Sequence, residues 1–564
     1  MYQAGFKILL LSMALIVTGL TQLAASEDMT GVIAGTVKTA SGQPAAGAFV
    51  KAQNAERRLL FMTVSQEQGR YRITDLPPGN YKVQSIGGGF QSDTPITVEV
   101  ASGKDAIANL TLDGHQPERL DEPRHPTGPP LTDKEKEAQK AFEKWRESRA
   151  ESALPEGAGK EIFKSTCTAC HSLPSDHRDS REDWTATVAL MIDRRTKSNL
   201  SVPSKQDQET LVNYLASNFG EDVPRGTESL WSSHLSRNWV QGAAAKYRVM
   251  EYMLPSGAGA HDCTADSEGN AWVVDESGWG IGRFDPKTLT YTRLPFPKGK
   301  AGKRPVTVGI QIDSKGHVWT MDAGNERVME YDPKSQKFTE YYGQIGGGNA
   351  WNTLQILPDG TVWGSDVRQN RVVKLEPATG KFTFYNPPSG VRENQSVRPY
   401  GMAIDGAGKL WFAEQESNRV GKIDPKTGEI MELPMAGVAT GDRPRRMDVD
   451  SNGDIWVSIT ELSKIVKWDY KTDKYTMFTT PTNDAGPYGV SVDRKHNLIY
   501  FSEVRADKVG RYDPKTKTFV EFDLPTMGSF IRRVQVDPSR SNRIWYSGGG
   551  GQSYDKVGYL EFVE

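Results

Sequence analysis

Through most of the chain apolar and polar residues alternate with a period of two, in short runs broken by Gly, Pro, Asn and Asp. That pattern predicts short strands joined by tight turns. Between residues 31 and 112 the runs at 31–37, 48–52, 71–73, 81–85, 96–100 and 108–112 predict a small antiparallel β-sandwich. After residue 245 the alternation becomes a repeat. An aromatic recurs at Trp272, Trp319, Trp363, Trp411, Trp456, Tyr500 and Trp545, at steps of 44 to 48 residues. The fullest copy runs Arg398-Pro-Tyr-Gly-Met-Ala-Ile-Asp405, Gly408-Lys-Leu-Trp411 and Asn418-Arg-Val, four strands that make one propeller blade. The seventh copy ends without its outer strand, while the run Val249-Met-Glu-Tyr-Met-Leu-Pro255 precedes the first copy and aligns with Phe519 to Pro525. The early run is therefore predicted to complete the last blade and close a seven-bladed ring. It also assigns Met250 and Met253 to a strand.

In one stretch, residues 154–222, the period changes to that of a helix. Helices are predicted over 160–170, 183–194 and 206–219, with Ile162, Phe163, Leu211, Leu215 and Phe219 turned inward. The first ends on Cys167-Thr-Ala-Cys170-His171. C-x-x-C-H is the spacing that attaches a c-type haem: two thiols on one helical turn add to the vinyl groups and the next residue places an imidazole under the iron. Cys167 and Cys170 are the expected anchors and His171 the proximal ligand. A zinc or redox C-x-x-C normally needs a second ligand pair or a thioredoxin-like context, and the chain has three cysteines in all. A segment this short builds little core alone, and one covalent haem c would supply the missing interior. For the sixth ligand, Met191 is the segment's sole methionine and shares a helical face with Trp184 and Val188. A core methionine, an open site and a ligand from elsewhere remain alternatives; His177 lies too close to His171 to reach the opposite haem face.

A haem of this kind is attached outside the cytoplasm, and the N-terminus agrees. Lys7 closes a short n-region, residues 8–20 are apolar, and Ala24, Ala25 and Ser26 follow, which is the layout of a cleavable signal peptide over 1–26. The apolar run is short for a span, so no integral membrane segment is expected after cleavage, and the mature protein is expected to be periplasmic or secreted. A formal net charge of -2 leaves no basic footprint for nucleic acid. The expected organisation is multidomain and mainly β. It comprises a sandwich over 27–112, a Pro-rich and helical linker over 113–153, a small all-α unit over 154–222, a linker over 223–245 and the propeller over 246–564. A monomer is expected.

Three resemblances add to this reading. Gly42-Gln-Pro-Ala-Ala-Gly47-Ala-Phe-Val50, Gly69-Arg-Tyr71 and Leu76-Pro-Pro-Gly79-Asn-Tyr81 resemble the carboxypeptidase regulatory-like family, which implies a passive module. Residues 154–222 resemble the cytochrome c family through Phe163, Cys167, Cys170, His171 and the last helix; His/Met ligation would then imply a relatively high potential and electron transfer. The propeller resembles the virginiamycin B lyase (streptogramin lyase) family through its repeated Gly-x-x-x-Asp, Gly-x-(Leu/Val)-Trp and Asn-Arg-Val blocks. That resemblance implies a metal-assisted elimination with a catalytic histidine, and hence a divalent cation in the propeller channel. Of His261, His317 and His496, only His261 falls on the expected site face.

That face is set by the repeat. Three positions after each aromatic stand Asp275, Asp322, Asp366, Glu414, Ile459, Glu503 and Gly548. The innermost strands begin on the same side with His261 and Asp262, Asn352, Tyr400, Arg445 and Arg446, Tyr488, and Arg532 and Arg533. The Arg pairs depart from the repeat's own Tyr-Gly, which marks them as site candidates. The competing structural reading is that the acids cap turns or pair with these arginines and with Arg327, Arg371 and Arg419. Candidate site residues are His261, Arg445, Arg532, Glu414 and Glu503. Cys263 stands where sibling repeats place Met402 or Met447 and is expected to be a buried core thiol. The leading functional expectation is an exported monohaem cytochrome working in periplasmic electron transfer, with a propeller that binds a redox partner or a small-molecule substrate. Its enzymatic form is a haem-dependent oxidoreductase. The alternatives are a propeller-based lyase with accessory haem, and a non-catalytic adhesion or docking protein.

Overall fold

The computed structural model describes residues 30–116, 154–167, 180–197, 200–220, 234–254, 259–275, 280–303, 305–343, 351–393, 396–549 and 555–563. The expected signal peptide, the linker after residue 116, Cys170, His171 and His177 lie outside the described residues. Ten strands form the front of the molecule: β1 (Gly31–Thr39), β2 (Phe49–Asn54), β3 (Leu59–Val64), β4 (Arg70–Leu76), β5 (Gly79–Gly87), β6 (Phe90–Gln91), β7 (Ile96–Val100), β8 (Asp105–Ile107), β9 (Leu110–Leu112) and β10 (Gly114–His115). One sheet holds β4, β1 and β8, with β9 also on β1; the other runs β10-β6-β5-β2-β3, with β7 on β5. The sandwich is not wholly antiparallel, because β1 pairs in parallel with β8 and β9. The chain reaches β8 only after crossing the other sheet, and such a long crossover permits parallel pairing where a hairpin cannot.

β3 reads Leu-Leu-Phe-Met-Thr-Val and is buried at every position. The cause lies beyond the sandwich. β11 (Tyr247–Met253) pairs antiparallel along β3, with Arg248 opposite Thr63 and Tyr252 opposite Leu59. Its other edge pairs with Lys556–Phe562, Tyr247 opposite Phe562 and Met253 opposite Lys556. The early strand thus completes the last blade as the alignment predicts, and one sheet runs unbroken from the sandwich into the propeller. Met250 and Met253 are buried in that strand.

Six further four-stranded antiparallel sheets span residues 260–295, 310–342, 351–385, 399–434, 444–479 and 487–523. The first strands of successive blades touch, and that of the first blade touches the seventh, so the ring closes. The repeat's Asp and Trp explain one another. In five blades an aspartate carboxylate accepts the indole N–H of the blade's tryptophan, as in Asp266–Trp272 at 2.9 Å, Asp405–Trp411 at 2.8 Å and Asp537–Trp545 at 2.9 Å, with Asp313–Trp319 and Asp450–Trp456 alike. The same carboxylate takes the turn N–H groups, as from Ala407 and Lys409 to Asp405. Hence the blocks recur for packing.

Three helices make a separate small unit: α1 (Lys160–Cys167), α2 (Arg181–Lys197) and α3 (Lys205–Asn218). Residues 168–170 of the predicted 160–170 lie outside the described residues, and α2 runs longer at both ends than 183–194. Phe163, Trp184, Val188, Leu211, Tyr214, Leu215 and Phe219 form its core. α1 and α3 approach closely because Gly159 has no side chain: a Cβ there would stand 2.3 Å from that of Tyr214. Trp184 donates its indole N–H to the carbonyl of Phe219 at 2.8 Å and ties α2 to the end of α3.

The segment 234–245, expected within a linker, is packed between sandwich and propeller. His234 Nε2 bonds the carbonyl of Leu524 at 2.8 Å. Val240 N donates to the Gly47 carbonyl at 3.0 Å, and Gly47 sits at φ 85°, where a Cβ would meet the Val240 carbonyl at 2.4 Å. Lys51 of β2 reaches the Pro525 carbonyl at 2.6 Å; burial pushes its amine down to about 8 against the opposing pull of Glu251.

Candidate functional site at the mouth of the propeller

The starts of the inner strands meet on the ring axis. Arg446 of the fifth blade donates to Asp262 Oδ1 of the first blade at 2.7 Å and to Thr353 Oγ1 of the third at 2.7 Å. One guanidinium thus crosses the axis and joins three blades. His261 Nδ1 lies 2.8 Å from Asp262 Oδ1. Burial opposes the charge on Asp262, but Arg446 and His261 outweigh it and hold the carboxyl below its usual range.

Around this bridge stand Tyr400, Tyr488, Arg445, Arg532 and Arg533. The hydroxyls of Tyr400 and Tyr488, from the fourth and sixth blades, bond to each other. The Arg445 guanidinium lies 5.1 Å and 4.7 Å from the centroids of those two rings, and Arg532 lies 4.6 Å from that of Phe530. Burial would raise the Tyr400 phenol, but Arg445 and Arg446 pull it below its ordinary value. Tyr488 moves the other way, through burial and the neighbouring Tyr400 oxygen. Phe530, which completes this wall with Tyr488, carries no repeat signal and is not marked by the sequence.

The expected acidic positions divide into two kinds. Asp322 accepts from Arg327 at 2.9 Å and from Asn325, and Asp366 accepts from Arg371 at 3.1 Å and from the Gln369 N–H. For these two the pairing reading holds. Glu414 and Glu503 are equally buried but have no such base. Arg419 goes to Glu393 at 3.2 Å, and Lys508 goes to Glu521 at 2.9 Å. Glu414 takes one bond, from Ser417 at 2.7 Å; among the described residues its other oxygen finds no donor, and neither oxygen of Glu503 does. Burial pushes Glu414 up to about 8, with Glu432 adding to the rise against Ser417 and Arg419; burial and Glu521 lift Glu503 well above the carboxylate range. The side chain of Asp275 is outside the described residues.

A folded-state value above the unfolded one means that the folded protein holds the extra proton. For Glu414, stability should therefore fall as pH rises from its ordinary 4.5 to about 8. Glu414→Gln should flatten that loss by on the order of 1–3 kcal/mol, read from urea unfolding on either side of the window. An unchanged slope would assign the pH dependence elsewhere.

His317 and His496 sit at the opposite ends of their blades, where His317 Nδ1 meets Glu330 at 2.6 Å and His496 Nδ1 meets Asp493 at 2.6 Å. Among the described residues, the gathered set of metal-type side chains is Asp313, His317 and Glu330, away from the mouth. Among the described residues the mouth does not fit a divalent cation: Arg445, Arg446, Arg532 and Arg533 surround Asp262, which Arg446 and His261 already occupy. Cys263 is fully buried beneath, its thiol pushed up to about 12 by that burial.

At the helical unit, Cys167 is the last residue of α1. Arg195 donates from Nη1 to the Thr166 carbonyl at 2.9 Å and from Nε to the Ser201 carbonyl at 2.8 Å, fixing the turn that delivers Cys167. Trp184 and Val188 are buried in the core, whereas Met191, on the same face of α2, is half-buried and stands outside the packed cluster.

Fold and mouth together define a closed seven-bladed propeller with a cationic axial site. Residues 303–561 match the virginiamycin B lyase family, and residues 32–113 match the carboxypeptidase regulatory-like domain. A streptogramin B lyase structure shares 20% identity at a TM-score of 0.50, covering 57% of this chain and 100% of that one. Virginiamycin B lyase from Staphylococcus aureus shares 19% at 0.49, covering 56% and 100%. At this identity the likeness fixes the fold and leaves the reaction open. No curated protein matches the chain.

Proposed function

We propose that this chain is an exported monohaem c-type cytochrome that exchanges electrons with a ligand or partner protein bound at the propeller mouth. The observation that carries the reading is the Cys167-Thr-Ala-Cys170-His171 run in the sequence, whose first residue ends α1. When bound, the haem would supply one-electron chemistry. The chain's residues would hold it: Cys167 and Cys170 as anchors, His171 as the proximal ligand and Met191, on α2, as the sixth ligand. Arg195 keeps the Cys167 turn in register. The mouth contributes recognition, through Arg445, Arg532 and Arg533. The lyase reading is supported by the shared fold, yet His261 is bonded to Asp262 and the donor set opposes a metal, so it ranks second.

The test uses the full chain exported in a host that attaches haem. A reduced-minus-oxidised spectrum should show a c-type α band that stays with the polypeptide after denaturation, and Cys170→Ala should remove most of it. Met191→Ala should retain the α band and lose the near-infrared sulfur-to-iron band. No α band in the wild-type protein would end the proposal.

A further inference from the structure

We propose that the propeller mouth is an oxyanion site in which Arg445 and Arg533 receive a carboxylate or phosphate group of the bound ligand. This rests on the reading above that the mouth is where the ligand binds. Several buried arginines of this chain meet a carboxylate: Arg327 has Asp322 and Glu340, Arg543 has Glu561, and Arg446 has Asp262. Arg195, also buried, is held by the Thr166 and Ser201 carbonyls instead. Arg445 and Arg533 are each 9% exposed, and among the described residues neither is in an ion pair. Arg445 reaches Tyr488 Oη at 3.5 Å and Arg533 reaches Gln535 Oε1 at 3.3 Å, while the Nε of each finds no acceptor.

The nearby carboxylates are committed. Asp262 holds Arg446 and His261; Glu461 holds Arg505; Asp448 accepts from Arg494 at 3.4 Å and from the Val492 N–H at 2.8 Å. Burial consequently depresses the Arg533 guanidinium below its ordinary value. A buried guanidinium without a counter-charge is costly to fold around; for Arg533 that cost persists, whereas at Arg445 the oxygens of Tyr488 and Tyr400 outweigh burial and raise the guanidinium.

Position argues the same way. Arg445 stands where the fourth and sixth blades have Tyr400 and Tyr488, and Arg533 where they have Gly401 and Gly489. Those glycines let adjacent inner strands pack closely: a Cβ at Gly401 would stand 2.2 Å from the Arg445 carbonyl. The planar forks of two guanidiniums match the oxygens of carboxylate or phosphate, and the Tyr400 and Tyr488 hydroxyls add donors beside them. The occupant is thus a small organic anion, with the aromatic rings of Tyr400, Tyr488 and Phe530 against its body.

Calorimetric titration of the full-length holoprotein with benzoate and, separately, inorganic phosphate at constant ionic strength tests this and distinguishes the two sources. One-to-one saturation by at least one is expected, weakened roughly tenfold or more by Arg445→Gln and by Arg533→Gln. Both variants should melt no lower than wild type, because each removes an unpaired buried charge. Arg445→Lys, which keeps charge but loses the fork, should fall between. Absence of saturable binding by both anions, or equal binding by the Gln variants, overturns the proposal, as does a marked fall in melting temperature with affinity unchanged. The α band of the same samples reports on the haem independently. Anion binding without haem sinks only the electron-transfer reading, and haem without anion binding sinks only this one.

Discussion

Asp262→Ala should lower the unfolding free energy by about 3–5 kcal/mol, the usual result of stripping one partner from a buried ion pair. Arg446 and Asp262 are both about fully buried, with side-chain exposures of 1% and 2%. After the change, Arg446 would keep only the neutral oxygens of Thr353 and Asn352, which do not balance its charge. The loss would act on the whole ring, because this guanidinium links the first, third and fifth blades. Urea unfolding measures it. The paired replacement Asp262→Leu with Arg446→Met should return to within about 1–2 kcal/mol of wild type, since it removes both charges together. Equal losses in the single and paired variants would show that packing, not charge, holds the axis.

Phe61→Ala in the sandwich should cost about 3–5 kcal/mol and should be felt in the propeller. Phe61 is 6% exposed and belongs to one continuous apolar cluster with Met250, Val557 and Trp545 of the seventh blade. Arg248 adds polar stitching, reaching Asp75 of the sandwich at 2.7 Å and Glu561 of the blade at 3.0 Å. A single thermal transition is expected, followed by the fluorescence of the blade tryptophans and by far-ultraviolet dichroism, and it should shift as a whole. Two transitions, with tryptophan emission unmoved, would mean that sandwich and propeller unfold separately.

Much of this architecture is legible in the sequence because it repeats. Seven aromatics at near-constant spacing count the blades, and the orphan run from Val249 to Pro255 gives the closure, since a strand missing at one end and spare at the other has one place to go. β3 is illegible for the opposite reason. Leu59–Val64 shows no alternation because both of its faces are covered, and an unbroken apolar run of that length does not declare itself a strand. The Arg pairs stand out against their sibling repeats, but the pairing of Arg446 with Asp262 depends on the curvature of the ring, which no local pattern encodes. Among the acids, side-chain length separates the roles: Asp322 and Asp366 stay close to their turns and meet Arg327 and Arg371, whereas Glu414 and Glu503 carry one more methylene and end without a base. The repeat puts all four at the same position of their blades.

The pairing of β11 on both sides also sets the order in which the chain can mature. Tyr247 must wait for Phe562 to be synthesised before the ring can shut, and a long-range pairing of that kind is slow to form. A half-made propeller would meanwhile offer β11 as an open edge to any other nascent strand. β3 comes far earlier in the chain, and once paired it occupies one of the two edges. The sandwich thus serves as a built-in escort for the youngest propeller, guarding the seam until its last strand arrives.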